Sequence, residues 1–86
     1  MTDGQYTGSY SAFRFSNTVT VRVDGGAITD IQIVKPQVVA KPIIMDTLRK
    51  EILRLQTTAV DAVSGATADS KAYLKAIENA LETQKP

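Results

Sequence analysis

The chain has 86 residues, of which 43% are hydrophobic and 22% are charged, a composition typical of one small globular domain. Ten Lys and Arg against nine Asp and Glu leave a net charge of +1, so electrostatics give no reason to expect binding to nucleic acid or to an anionic membrane. The absence of Cys and His excludes disulfides, a His-based catalytic triad and nearly all zinc sites. We expect a single domain, residues 1–86, with its core between Asp3 and Leu81.

The N-terminal region carries most of the aromatic residues. Gln5 to Phe15 predicts one or two short strands, with Gly8 as a bulge or a point of close approach. The four aromatic residues here are Tyr6, Tyr10, Phe13 and Phe15. We expect them to cover a small sheet, and stacking of one of them on a bound ring is the alternative.

The next segment predicts a β-hairpin. From Thr18 to Val23, valines alternate with polar residues, which indicates a half-buried strand. Asp24-Gly25-Gly26 supplies the residues of a tight turn. The return strand, about Ala27 to Val34, changes its apolar parity partway, so we predict a bulge near Thr29 or Asp30, or burial of both faces near one end.

A loop and a helix follow the hairpin. Lys35 to Pro42 is predicted to be a loop because of its two prolines, and its apolar Val38-Val39-Ala40 either packs under the sheet edge or forms a wall for a ligand or partner. From Ile43 to Leu55 the period is helical, with Pro42 in the first turn. Its apolar positions are Ile44, Leu48, Ile52 and Leu55, and its charged residues, Arg49 among them, are expected on a solvated face.

The last helix is predicted from about Ala68 to Thr83. Its buried face is expected to comprise Ala72, Tyr73, Ala76, Ile77, Ala80 and Leu81. Three alanines at a spacing of four predict a close approach to the sheet, and Tyr73 is expected in the core. The predicted fold class is therefore α+β, a small antiparallel β-sheet with two helices, the C-terminal one packed on the sheet.

The segment before this helix is the candidate site. In Asp61-Ala62-Val63-Ser64-Gly65-Ala66-Thr67, a glycine is flanked by two hydroxyl residues at the start of a helix. The first amides of a helix have no internal partners and carry partial positive charge, so this segment could hold a phosphate or carboxylate. The alternative is that Thr67 is only an N-cap, accepting from the amide of Asp69 or Ser70.

The sequence Asp61-x-x-Ser64-Gly65-Ala66-Thr67 resembles the flavinylation motif of the FMN-binding domain family. Members include the flavin-carrying subunits of sodium-translocating NADH:quinone oxidoreductase and extracytoplasmic reductases. The resemblance extends to the opening Asp3-Gly4-x-Tyr6-x-Gly8, the hairpin and the closing helix. It implies that Thr67 carries FMN through a phosphoester installed by a flavin transferase, and that Asp61, Ser64, Gly65 and Ala66 surround it. The Thr-Pro-Gly stretch that several members have near residues 35–42 is absent here.

The resemblance implies an electron-transfer carrier rather than a complete enzyme, with redox donor and acceptor proteins as partners. It also implies an extracytoplasmic location, with a targeting segment outside this sequence, whereas the residues themselves are equally compatible with the cytoplasm. Three alternatives stay open. They are a module that binds FMN non-covalently, the excised flavin domain of a larger reductase, and a cofactor-free interaction module that uses Val38-Val39-Ala40.

Overall fold

The fold is α+β, as predicted. The computed structural model describes residues 2–37, 42–60 and 67–83. Its regular elements are β1 (Gly4–Tyr10), β2 (Asn17–Asp24), β3 (Ala27–Lys35), α1 (Pro42–Leu55) and α2 (Thr67–Glu82). The strands form an antiparallel sheet in the order β1-β2-β3. In the described parts of the chain, no helix is long and apolar enough to cross a membrane.

The central strand β2 provides the middle of the core. Val19, Val21 and Val23 alternate with more exposed neighbours and are fully buried on one face of the sheet, as the period-two pattern predicts. The predicted bulge is confirmed, because Arg22 pairs with Asp30 while Val23 pairs with Ile28, which leaves Thr29 as the extra residue. The bulge reverses the parity of β3, so that Ile28 and Ile31 are both buried.

The connection from β1 to β2 differs from the predicted second strand. Phe13–Phe15 forms a 3-10 turn, closed by hydrogen bonds from the Phe15 amide to the Ala12 carbonyl and from the Ser16 amide to the Phe13 carbonyl. Phe13 has a φ of 52° and is 99% exposed, so the expectation that it covers the sheet is wrong. Tyr6 and Tyr10 do pack against the core. The alternation of side chains between the two faces of a strand could not show that the chain leaves the sheet after Tyr10.

Helix α2 packs on the inner face of the sheet at very short range. A Cβ added to Gly8 would lie 2.1 Å from the Ala80 amide nitrogen and 2.5 Å from the Ala76 carbonyl oxygen. The close approach predicted from Gly8 and from the alanines is therefore confirmed. Tyr73, Ala76, Ile77 and Ala80 are buried, and the side chains of Ser70 and Leu74, which the helical pattern did not select, are buried as well.

Helix α1 lies beside β3 and covers part of its open edge. Its buried residues are Met45, Leu48 and Ile52, whereas Leu55, predicted to be buried, is 46% exposed. Arg49, expected on a solvated face, instead donates from Nε to the Ile31 carbonyl at 3.1 Å and pairs with Asp30. That hydrogen bond holds the pKa of the Asp30 carboxyl below its usual value. Arg49 thus satisfies a carbonyl group that an edge strand would otherwise leave open.

Candidate functional site

Thr67 is the first residue of α2. Its side chain is exposed, and its hydroxyl makes no hydrogen bond within the described part of the chain. The N-cap alternative requires the hydroxyl to accept from the amide of Asp69 or Ser70, and no hydrogen bond that the structure describes reaches the Thr67 hydroxyl. Asp61, Ser64, Gly65 and Ala66, the other predicted site residues, lie outside the described residues, as does Val38-Val39-Ala40. Thr67 therefore presents an exposed hydroxyl at the beginning of a 16-residue helix.

The start of α2 combines two electrostatic influences. The aligned peptide dipoles leave partial positive charge at the N-terminus of the helix, and the exposed Lys71 follows Thr67 by one turn on the same side. Asp69 lies in the first turn, where a carboxylate is favoured by the same dipole. The site therefore favours an anion attached at Thr67, whereas the Asp69 side of the turn offers hydrogen-bond acceptors.

Two buried amide side chains hold the first turns of α2 in place. Asn17, which is 3% exposed, donates from Nδ2 to the carbonyls of Ala72 at 3.1 Å and Phe15 at 3.2 Å. Gln37, which is 5% exposed, donates from Nε2 to the Asp69 carbonyl at 3.0 Å. The helix start is therefore fixed both to the 3-10 turn and to the segment that follows β3.

These contacts leave acceptor atoms without donors. Within the described residues, three buried oxygens have no hydrogen-bond partner: Asn17 Oδ1, Gln37 Oε1 and Asp69 Oδ1. An unpaired buried acceptor costs about 1–3 kcal/mol, so native structures rarely leave one unexplained. All three belong to the first two turns of α2 or to side chains that donate to its carbonyl groups.

An apolar cavity lies on the same side of the helix as Asp69. It has a volume of about 380 Å³ and is lined by Ile31, Ile33, Pro36, Pro42, Met45, Asp46, Arg49 and Tyr73. This volume is within the range of small-ligand sites, which are mostly apolar with a few polar groups. Burial raises the pKa of Tyr73 to about 12, so its phenol stays neutral at physiological pH. Pro36 directly precedes Gln37, and Tyr73 follows Asp69 by one turn of α2, but the described lining includes neither Gln37 nor Asp69.

A second hollow of about 410 Å³ lies on the opposite side of the first turns of α2. Its lining comprises Tyr10, Ala12, Phe15, Ala68, Lys71, Ala72 and Lys75. The lysines are exposed, and Arg14 lies 5.8 Å from the centre of the Phe15 ring. This hollow is more cationic than the first one, and Phe15 and Ala72 of its lining accept hydrogen bonds from Asn17, whose Oδ1 is buried and unpaired.

The sequence predicted the burial of Tyr73, which is confirmed, and Thr67 as a site residue, which stays a prediction. The contacts of Asn17, Gln37 and Arg49 were not predicted. Gln37 and Asn17 are single polar residues at the ends of strands, where a polar residue is ordinary, so no local signal distinguishes them. Their roles depend on contacts with α2, 32 and 55 residues away along the chain. The residues that structure adds to the site are thus those with distant partners.

An exposed threonine hydroxyl at the start of a helix is a place where a phosphate is favoured. Tyr73 of the same helix lines an apolar cavity large enough for a small ligand. No curated protein matches the sequence. A family model described as FMN-binding domain matches residues 16–82, which is most of the chain. The protein therefore belongs to the FMN-binding domain family.

Proposed function

We propose that this domain carries FMN covalently, through a phosphoester between the FMN phosphate and Thr67, and acts as an electron carrier. The observation that carries the proposal is the exposed Thr67 hydroxyl at the first residue of α2 in a chain that belongs to the FMN-binding domain family. A hydroxyl that is engaged in no hydrogen bond within the described residues is available for esterification.

The helix terminus supports attachment at this position. Esterification leaves a negatively charged phosphodiester next to the first amides of α2, and that location is the favoured one for an anion. Ser64 and the amides around Ala66 to Ser70 are the proposed donors to the phosphate oxygens. The Asp61 carboxylate would repel a phosphate. We therefore propose that it caps the backbone of the turn by hydrogen bonding, or that the transferase recognises it.

Attachment would be a transfer of the FMN group from FAD to the Thr67 hydroxyl, with AMP as the leaving group. Thr67 Oγ forms a bond to the phosphorus that bears the riboflavin portion, and the diphosphate bond breaks. AMP leaves with the bonding electrons, and the hydroxyl proton passes to solvent or to a base of the transferase. When bound, FMN supplies the one- or two-electron chemistry, and the protein contributes position and environment.

Redox donor and acceptor proteins, a flavin transferase and an extracytoplasmic location are part of the same proposal. A covalent link suits a carrier outside the cytoplasm, because a cofactor lost there could not readily be replaced. Non-covalent FMN binding is the second candidate. It is favoured by the apolar cavity, which can retain a ligand without any covalent bond.

The test is co-expression with a flavin transferase, followed by intact mass and visible absorption under denaturing conditions. We expect wild type to gain the mass of one FMN less one water and to stay yellow when unfolded. Thr67→Ala should gain nothing, and Thr67→Ser, which keeps a hydroxyl, should retain some labelling. Thr7→Ala, a change at an exposed threonine on the outer face of the sheet, is the matched control and should be labelled normally.

Two results would decide against covalent carriage. One is unmodified wild type in an experiment where the transferase labels a known acceptor. The other is full labelling of Thr67→Ala, which would move the attachment to a different residue. A yellow native protein that loses its colour on denaturation would support the non-covalent candidate instead.

A further inference from the structure

Two buried amide side chains join the same end of the sheet to the start of α2. Asn17 is the first residue of β2, and Gln37 follows the end of β3 by two residues. The start of β2 pairs with the end of β3, so both amides belong to one end of the sheet. Asn17 Nδ2 donates to the Ala72 carbonyl at 3.1 Å, and Gln37 Nε2 donates to the Asp69 carbonyl at 3.0 Å. The first two turns of α2 are thereby tied to the sheet by side-chain donors.

Stability alone does not account for these amides. Asn17 is 3% exposed and Gln37 is 5% exposed, and neither Asn17 Oδ1 nor Gln37 Oε1 has a partner within the described residues. An unpaired buried acceptor costs at least as much free energy as a typical hydrogen bond contributes. An apolar side chain of similar shape would fill the same space without that cost. The net contribution of each amide to stability is therefore small, and its distinctive effect is to fix the backbone at the start of α2.

The position of this backbone matters for Thr67, the first residue of α2. The first amides of a helix have no intrahelical acceptor, and helix ends fray. Asp69, whose carbonyl Gln37 holds, follows Thr67 by a rise of only about 3 Å along the helix axis. Group transfer needs the attacking oxygen close to the phosphorus, and a displacement of about 1 Å can cost about a hundredfold in rate. A loosely held helix start would present the hydroxyl in many positions, few of them productive.

We propose that Asn17 and Gln37 are positioning residues, which hold the first two turns of α2 so that a flavin transferase meets the Thr67 hydroxyl in one geometry. Both act through the backbone of α2 rather than by contact with FMN, since both side chains are buried. This inference rests on the proposed attachment at Thr67, and it adds the residues on which the rate of attachment depends.

The test is steady-state labelling by a flavin transferase with FAD, in which kcat and KM are measured for the protein as substrate. Asn17→Leu keeps the branched shape and Gln37→Met keeps the length, and each removes both polar atoms. The kcat should fall by about tenfold or more, because the hydroxyl is misplaced within the complex, whereas KM should change by about twofold or less. The urea midpoint should stay within about 0.5 M of wild type, since removal of an unpaired acceptor offsets the lost hydrogen bonds.

Hydrogen exchange of the apo proteins gives a second readout that needs no flavin. The amides of Lys71, Ala72 and Tyr73 are the first in α2 that can bond to carbonyls within the helix. In both variants these amides should exchange faster by about threefold to tenfold, the factor that corresponds to one lost hydrogen bond. Amides in the second half of α2 should keep their wild-type rates, because the rest of the helix stays packed on the sheet.

Asn79→Leu is the matched control. Asn79 Nδ2 donates to the Ser9 carbonyl at 2.7 Å, so this residue also ties α2 to the sheet through one amide, but it lies in the second half of the helix. Labelling at Thr67 and exchange of the first helical amides should both remain as in wild type. Urea unfolding shows that each variant is folded, and if Asn17→Leu does not fold, Gln37→Met decides the test.

Four results overturn the inference. They are a wild-type kcat in both Asn17→Leu and Gln37→Met, unchanged exchange in the first turns of α2, an equal loss of kcat in Asn79→Leu, and a urea midpoint lowered by more than about 1 M in both variants, which would indicate a general structural role. Wild type that stays unlabelled, while the transferase labels a known acceptor, overturns covalent carriage and this inference with it. Labelled wild type with equally labelled variants overturns this inference alone.

Discussion

Tyr73 shows how a single residue connects the core of the domain to its candidate site. Its side chain is 1% exposed and belongs to the core cluster, yet it also lines the apolar cavity. Burial raises its pKa to about 12, with Asp30 and Asp46 adding to the effect and Arg49 opposing it. The folded protein therefore holds the phenol in its neutral form across the pH range in which an unfolded tyrosine ionises.

This pKa shift predicts a loss of stability at alkaline pH. The folded-state pKa of Tyr73, about 12, lies above the unfolded value of about 10. The stabilising contribution is consequently complete below pH 10 and is lost as the pH rises toward the folded-state pKa. At pH 11 the loss should be about 1.4 kcal/mol, since the unfolded chain then binds fewer protons than the folded one. Urea unfolding of wild type between pH 8 and pH 11 measures it.

Tyr73→Phe is the reference for this prediction. It removes the ionisable group, whereas the lysines and the other tyrosines titrate alike in both proteins and cancel in the difference. At pH 7 the two proteins should differ little, because the Tyr73 hydroxyl makes no hydrogen bond within the described residues. An equal decline of both proteins up to pH 11 would show that burial does not perturb this phenol.

At the scale of elements, the sheet depends on α1 for one of its edges. Gln56 follows α1 with a φ of 58°, and its amide group pairs with Ile28 of β3 in the manner of a neighbouring strand. The Ile28 amide donates to Gln56 Oε1 at 2.7 Å, and Gln56 Nε2 donates to the Ile28 carbonyl at 2.9 Å. An edge strand with satisfied groups has less tendency to pair with other chains.

We therefore predict that Gln56→Ala costs about 1–3 kcal/mol, because both polar groups of Ile28 lose their partner. Gln32→Ala, on the outer face of the sheet with one hydrogen bond to Asp30, is the matched control and should cost about 0.5 kcal/mol or less. Urea unfolding gives both values. Equal costs for the two variants would mean that Gln56 does not support the edge.

Elements differ in how far sequence alone can predict them. Alternating valines and the parity change near Thr29 were sufficient for β2, β3 and the bulge, because both signals are local. The turn at Phe13 and the roles of Arg49 and Gln56 were not predictable, since each depends on a neighbour that only the folded chain provides. At the candidate site, Thr67 stays a prediction from the sequence, whereas the hydrogen bond from Gln37 to the Asp69 carbonyl depends on the folded chain.

For the whole molecule, Thr67 lies outside the hydrophobic core. The buried cluster joins the sheet to both helices without Thr67, and the radius of gyration is 11.9 Å, close to the value of about 12 Å expected for a compact domain of this length. The described core is therefore made by side chains of the sheet and of both helices. A ligand that binds only the folded chain would add to its stability.

Because Thr67 lies outside the core and Gly8 packs against α2, two small substitutions should differ in their cost to the free energy of unfolding of the apo protein. Thr67→Ala should change the free energy of unfolding by about 0.5 kcal/mol or less, because the side chain is exposed and makes no hydrogen bond within the described residues. Gly8→Ala should cost about 3 kcal/mol or more, since its Cβ meets the backbone of α2, which cannot move away without separating the helix from the sheet.

Gly25→Ala is the control for the glycine substitution. Gly25 has open space around it and a φ of 62°, so only backbone strain, about 1–2 kcal/mol, should result. Urea unfolding of the three apo variants tests the set. A large loss in Thr67→Ala would mean that Thr67 supports the fold itself, and a tolerated Gly8→Ala would contradict the close packing of α2 on β1. We expect Thr67→Ala to cost least because Thr67 is not part of the core, and Gly8→Ala to cost most because Gly8 contacts the backbone of α2.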